Sequence, residues 1–378
     1  MSFDFLKENY TGLYIHYPFC LRKCPYCDFN SYARGRNENQ DELYFLRLKE
    51  DFSSWMPKVK DRKFISVFIG GGTPSLCAPG LIGDFIDFIA PFLTKDCEIT
   101  IEANPGTVEL NKLKDFKTAG VNRLSLGVQS FNDVLLKRIG RIHDAATAKK
   151  ACSDADKCGF SAFNIDLMHG LPGQSLEEAL SDIKTAAAFN CTHLSWYELT
   201  IEEDTYFGTH TPILPSEDEL YAIEEKGFPL LNSLGFNRYE VSAFTRDKHC
   251  VHNENYWRFG DYVGIGAGAH SKFFDGNKTI RKACPALPSD YLKGDFGKFY
   301  TVDETDIPFE YMLNRLRLFN DIKTFEYKLH TGQDFSLVKH VLDKAAALSL
   351  IEFKDDETYC VTAYGRQMLN DVLEMFLY

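Results

Sequence analysis

Through the first 200 residues the chain alternates short apolar runs with longer stretches in which apolar side chains return every three or four positions. The short runs, at 13–17, 64–69, 98–103, 123–127, 162–166 and 193–199, read as strands. The longer ones, near 41–57, 79–93, 109–118, 132–139, 144–158 and 176–189, read as helices. A repeated βα alternation predicts a parallel sheet, and six units predict an α/β fold, a partial parallel (β/α)6 TIM-like barrel, without any internal sequence repeat. After about residue 300 the rhythm stops. FEYMLNRLRLF has helical spacing, and LVKHVLDKAAALSLIEFKDDETYCVTAYGRQMLNDVLEMF reads as a helix, a short two-stranded wing around 354–357 and a closing helix. The expected division is a core over 1–300 and a small winged-helix-like domain over 301–378. Asp355, Asp356 and Glu357 at the expected wing tip oppose DNA binding and favour a lid or protein-docking role.

Parallel βα arrays bind ligands at the carboxyl ends of their strands. Polar or glycine-rich groups stand at each predicted end: three cysteines after the first strand, Gly70-Gly71-Gly72-Thr73-Pro74 after the second, then Glu102, Gln129, Asp166 and Thr200. Glycine after an apolar strand permits close backbone approach to a ligand. Taken singly, each of these groups reads equally well as a turn, a helix cap or a surface residue.

Bulk properties narrow the classes. The 378 residues are 44% hydrophobic and 25% charged, with a formal net charge of -12 and no long basic run, which opposes nucleic acid or an anionic membrane as main partner. No apolar run approaches the length of a membrane span. The opening MSFDFLKENYTG has neither a basic nor an apolar signal region, and eleven cysteines in such a chain read as reduced thiols, so the cytoplasm is expected.

The chemistry concentrates in YIHYPFCLRKCPYCDFN, 14–30, where Cys20, Cys24 and Cys27 form a C-x3-C-x2-C loop. Structural zinc takes four ligands, usually from two separated pairs, and no second CxxC follows. Three thiolates can hold three irons of a [4Fe-4S] cluster and leave the fourth open. A Cys3His zinc site using His16, or three unligated thiols, remain the other readings. The remaining cysteines, Cys77, Cys97, Cys152, Cys158, Cys191, Cys284 and Cys360, read as small buried residues.

This loop, with Tyr26 before its last cysteine and the Gly70 to Pro74 run downstream, resembles the signature of the radical S-adenosylmethionine (SAM) superfamily. The resemblance implies that SAM chelates the open iron through its amino and carboxylate groups and is cleaved by one electron to methionine and a 5'-deoxyadenosyl radical. Matched motif to motif with the coproporphyrinogen dehydrogenase branch, Tyr14, Tyr26, Gly71, Gly72, Thr73, Glu102, Gln129, Arg141, Asp166 and Thr200 are implied SAM contacts. YVGIGAGAHS, 262–271, is expected to close over the adenosine through 266–270.

The segments RLSLGVQSFNDVLLKRIGRIHD, FNIDLMHGLPGQSLEEAL and THLSWYELTIEEDTYF resemble the HemW family of haem chaperones, over roughly 12–375. Related oxygen-independent coproporphyrinogen III oxidases carry a further cysteine where this chain has Phe29, and an extension ahead of the cysteine loop that 13 residues cannot supply. In HCVHNENYW, 249–257, His252, Asn253, Tyr256 and Trp257 form the family's HNxxYW pattern, which implies haem handling. Imidazole is a common axial ligand and aromatic rings offer flat apolar surface. His249 and Cys250 stand beside it as added candidates. The implied function is binding haem and passing it to acceptor proteins, with an electron donor serving the cluster. Two enzymatic readings stand beside it: oxidative decarboxylation of coproporphyrinogen III, and another radical SAM reaction on a tetrapyrrole.

Overall fold

Leu13, Ile15 and Tyr17 alternate with Gly12, Tyr14 and His16, so the first strand, Tyr10–Tyr17 (β1), has one apolar face. That face packs on Tyr44 and Leu48 of the helix Gln40–Val59 (α1), which leaves the other row pointing away from the helices. The computed structural model describes residues 10–35 and 40–377. The segment 1–9, which carries most of the opening stretch expected to lack an export signal, lies outside the described residues.

The expected alternation is present. Strands Lys63–Gly71 (β2), Leu93–Ala103 (β3), Arg123–Gln129 (β4), Ala162–His169 (β5) and His193–Glu198 (β6) follow β1 in parallel, each beside its predecessor. Between them run α1 and the helices Pro79–Ile89 (α2), Leu110–Thr118 (α3), Asp133–Arg138 (α4), Ala145–Cys158 (α5) and Leu176–Ala187 (α6). The helix expected over 79–93 stops at Ile89, and the next strand already begins at Leu93.

The sheet is wider than six strands. Asn237–Arg238 (β7) and Ala243–Thr245 (β8) add antiparallel beside β6. At the other edge Tyr262–Ile265 (β9) pairs in parallel with β1, and His270–Phe274 (β10), Thr279–Ala283 (β11) and Lys298–Thr301 (β12) continue antiparallel. The order among the described residues is β12-β11-β10-β9-β1-β2-β3-β4-β5-β6-β8-β7.

Of the further helices that follow the six expected units, two bear on the site. Glu217–Ser233 (α7) opens with a Ser216–Glu219 capping box and sets Gly227 against the Trp196 ring, where a Cβ would stand 2.1 Å from the indole. Val251–Trp257 (α8) carries the HNxxYW residues.

A second apolar core gathers Tyr311, Leu316, Tyr327, Val338, Leu342, Tyr359, Val372 and Phe376, joined by Phe259. It is built from helices Ile307–Arg315, Thr324–Thr331 and Ser336–Ala347 and a hairpin of Ile351–Asp355 with Thr358–Val361. The expected closing helix is two short helices, Ala363–Gln367 and Leu369–Glu374.

Residues from the carboxyl ends of β2 through β6, together with the loop after β1, line one cavity of about 530 Å³. Only a sheet curved into a partial barrel brings those ends to one mouth.

Candidate active site at the barrel mouth

The cysteine loop is tied to the glycine run by backbone. Gly72 N donates to Tyr17 O at 2.7 Å and Thr73 N to Phe19 O at 2.8 Å. A Cβ on Gly72 would lie 2.6 Å from the Phe19 carbonyl oxygen, and one on Gly71, whose φ is +111°, would lie 2.7 Å from the His16 ring. Close approach is what the glycines supply, as expected, but to the neighbouring loop that carries Cys20. The Gly71 amide already donates to Glu102 Oε2 at 3.1 Å.

Cys20, Cys24 and Cys27 all face the cavity. The guanidinium of Arg141 reaches Cys24 Sγ at 3.7 Å, Ser31 Oγ lies 3.7 Å from Cys27 Sγ, and burial raises the Cys20 and Cys27 thiols. Deprotonation therefore needs a compensating positive charge, which bound iron provides. Both His16 nitrogens are taken, Nδ1 by Tyr14 Oη at 2.8 Å and Nε2 by Asn30 O at 2.9 Å, so His16 is not a fourth ligand. Among the described residues no three His, Cys, Asp or Glu gather tightly enough for one metal ion. Three thiols that share a cavity without closing on one point suit a cluster, whose ligands are spread over separate irons. The donor set and its spacing fit [4Fe-4S].

Around them lie Tyr26, Gly71, Gly72, Thr73, Glu102, Gln129, Arg141, Asp166 and Thr200, nine of the ten implied SAM contacts. Gln129, at a left-handed φ of 70°, accepts from Tyr197 Oη at 2.9 Å. Arg141 donates to Gly127 O and leaves its Nε buried without a partner. Asp166 accepts from Asn164 Nδ2 at 2.7 Å and Ser125 Oγ at 3.0 Å. Burial above all, then the nearby Asp166 charge, pushes the Glu102 carboxyl up to about 8, while the Gly71 amide pulls the other way. A desolvated acid and an orphaned guanidinium nitrogen lining one cavity suit a ligand carrying both an amine and a carboxylate.

Tyr14, the tenth implied contact, is not among the residues that line this cavity; its hydroxyl is held by His16 at 2.8 Å and its ring centroid lies 6.4 Å from that of Phe68. The 266–270 turn also lies outside that lining. A Cβ on Gly268 would stand 2.2 Å from Asn30 Nδ2, and Asn30 donates to Ala267 O, so this turn buttresses the exit of the cysteine loop. Asn30, Ser31, Asn164 and Tyr197 were missed; the alternating NID and SWYE strands were the available signal for the last two.

The HNxxYW residues are elsewhere. His252 is 1% exposed at the amino-terminal end of the barrel, its Nδ1 against Ser66 Oγ at 2.9 Å and its ring stacked 5.0 Å from Phe68. Its Nε2 is buried without a partner, and burial followed by the Arg123 charge lowers the ring to about 3. Tyr256 packs edge-on against His252 and Tyr262, Trp257 lies against Tyr239, Ala243 and Leu318, and Asn253 is half-buried. Cys250 is buried against Glu98. His249 is the half-exposed ring of the segment, with a side chain 39% exposed.

Comparison with known proteins gives the same picture. The Radical SAM superfamily profile matches residues 14–186. The chain is 44% identical over 371 residues to the heme chaperone HemW of Escherichia coli, covering 97% of this chain and 98% of that protein. It is 43% identical over 374 residues to the heme chaperone HemW of Haemophilus influenzae, covering 97% of each. Among solved structures, coproporphyrinogen III oxidase (HemN) from E. coli superposes with a TM-score of 0.82 at 22% identity, covering 98% of this chain and 90% of that one, a likeness of fold.

Proposed function

The chain belongs to the HemW haem chaperone family of the radical SAM superfamily, and from that membership we propose that it binds haem and passes it to acceptor proteins, using the barrel mouth for a [4Fe-4S] cluster and SAM. The observation that carries this reading is the convergence of three cysteines and nine implied SAM contacts on one cavity, in a chain whose relatives over nearly its full length are heme chaperones.

Cys20, Cys24 and Cys27 would hold the cluster, which with SAM supplies one-electron chemistry when bound and draws on an electron donor. Glu102 and the Gly71 to Thr73 backbone would receive the SAM amino group, Arg141 its carboxylate, and Asp166 and Gln129 its nucleoside. Tyr26 walls the cavity beside Cys27. The segment 249–257 would handle haem at the opposite end, with Asn253, Tyr256 and Trp257 shaping that surface and His252 anchoring it. The unit from 301 to the carboxyl terminus, with its hairpin, is proposed as a separate winged-helix-like docking domain. Eleven free cysteines suit a reducing compartment such as the cytoplasm, and no helix among the described residues is long and apolar enough to cross a membrane.

Coproporphyrinogen oxidation is the weaker reading: Phe29, 59% exposed at the cavity rim, stands where the oxidases carry a further cysteine. The test is an anaerobic assay with reduced cluster, SAM and coproporphyrinogen III or haem. Both tetrapyrroles should be recovered unchanged; formation of protoporphyrinogen would overturn the proposal.

A further inference from the structure

The sequence pattern points to His252 as the haem ligand, yet the structure seals that ring inside the barrel, hydrogen-bonded to Ser66 and stacked on Phe68. Iron could reach Nε2 only by displacing α8 from the strands it plugs. Three residues earlier, a different imidazole is prepared for a metal.

His249 Nδ1 lies 3.1 Å from Glu254 Oε2. The other oxygen of Glu254 accepts from Arg258 Nε at 3.0 Å and Nη2 at 2.9 Å, so the carboxylate is fixed before any ligand arrives. A carboxylate accepts only, hence the Nδ1 proton of a neutral His249 points at Glu254 and the lone pair is left on Nε2. A second hydrogen bond of this kind is how metal-bound histidines are oriented and made more basic. The ring also lies flat on Tyr239, centroids 4.1 Å apart at 9°, and the Tyr239 hydroxyl accepts from the Cys250 amide at 3.4 Å. Two directions of restraint hold one exposed imidazole.

Its surroundings suit a flat dianion. Trp257 packs on the same Tyr239, Arg317 lies over the Trp257 ring at 5.1 Å, and Lys248 is exposed beside His249, with Asp247 the adjacent acid. The half-buried Trp257 with flanking cations matches the edge of a porphyrin ring bearing two propionates. An open site with one axial bond also suits cargo that must be surrendered.

We propose that His249, oriented by Glu254, gives the axial bond to haem iron, and that His252 is a positioning residue that locks α8 in the barrel. The proposal rests on the haem chaperone reading. The test is a titration of the cluster-reconstituted full chain with ferric haem, read by the Soret band, for wild type, His249→Ala, Glu254→Gln and His210→Ala. His210 is an exposed ring stacked on Tyr206 and serves as the control.

His249→Ala should raise the Kd by at least about tenfold and remove the imidazole-ligated Soret band, which added imidazole restores. Glu254→Gln should weaken binding less, and His210→Ala should match wild type. A wild-type Kd and Soret band in His249→Ala would overturn the assignment while leaving the chaperone reading intact. Wild type that binds no haem would instead remove the reading on which the assignment rests.

Discussion

Glu102 sits half-buried where β3 opens into the mouth, its carboxyl pushed up to about 8 by desolvation first and by the Asp166 charge second. Below that pH it is neutral in the free protein. The permanent sulfonium charge of SAM and the N–H donors of its amine both favour the carboxylate, so binding releases a proton and the affinity for SAM rises with pH until about 8. The limiting slope is about tenfold per pH unit. For folding the sign is opposite: the native state holds this proton more tightly than the unfolded chain, so its contribution to stability falls as pH rises from the ordinary carboxylate range through about 8. Calorimetric SAM binding between pH 6 and 8.5 should show a steeper affinity gradient in wild type than in Glu102→Gln, where only the α-amino group of SAM still loses a proton; equal gradients in the two proteins would contradict this electrostatic account. The position of Glu102 was legible, because a carboxylate ended an alternating strand. Its protonation was not, because it depends on a second acid from another strand. The partners of Tyr14 and His252 were hidden for a related reason: spacing gives the face of a strand or helix, not what already holds the side chain there.

Between elements, one buried polar contact ties the sheet edge to a helix. Asp51 on α1 and Lys282 on β11, both buried, meet at 2.5 Å, and Tyr291 Oη donates to the same carboxylate at 3.0 Å. This pair fastens the helix against the antiparallel edge whose turn at Gly266 supports the cysteine loop. Removing one partner leaves a buried charge uncompensated, so Lys282→Met should cost about 3–5 kcal/mol in urea unfolding. The double variant Asp51→Leu/Lys282→Met should recover much of that; a cost below about 1 kcal/mol for the single change would show that the pair is solvated. The six βα units were readable because short, largely buried apolar runs alternate with stretches of helical period. β9 was not: four residues containing a glycine make too short a period, and its parallel place beside β1 is set by tertiary pairing. α7 was hidden by Gly227 and Pro229 within it; the glycine is there because Trp196 leaves no room for a Cβ.

Across the whole molecule the cysteine-lined cavity and the HNxxYW segment stand at opposite ends of one barrel. Along β2, Ser66 meets His252 at the base and Gly71 borders the mouth, five residues or roughly 17 Å away. A haem held at the proposed His249 site, just ahead of α8, lies out of reach of direct attack from the mouth, which fits a carrier whose cargo is not transformed. The barrel was legible from the chain; this separation was not, because α8 follows β8 in sequence and only the sheet order carries it beneath β1 and β2. The most direct measurement loads the anaerobically reconstituted chain with haem, mixes it with an apo-haemoprotein, and follows the Soret band of each after separation. The account predicts that intact haem moves stoichiometrically to the acceptor while SAM-dependent porphyrin products stay absent. Haem that remains on the chain, or is converted at the expense of SAM, would contradict it.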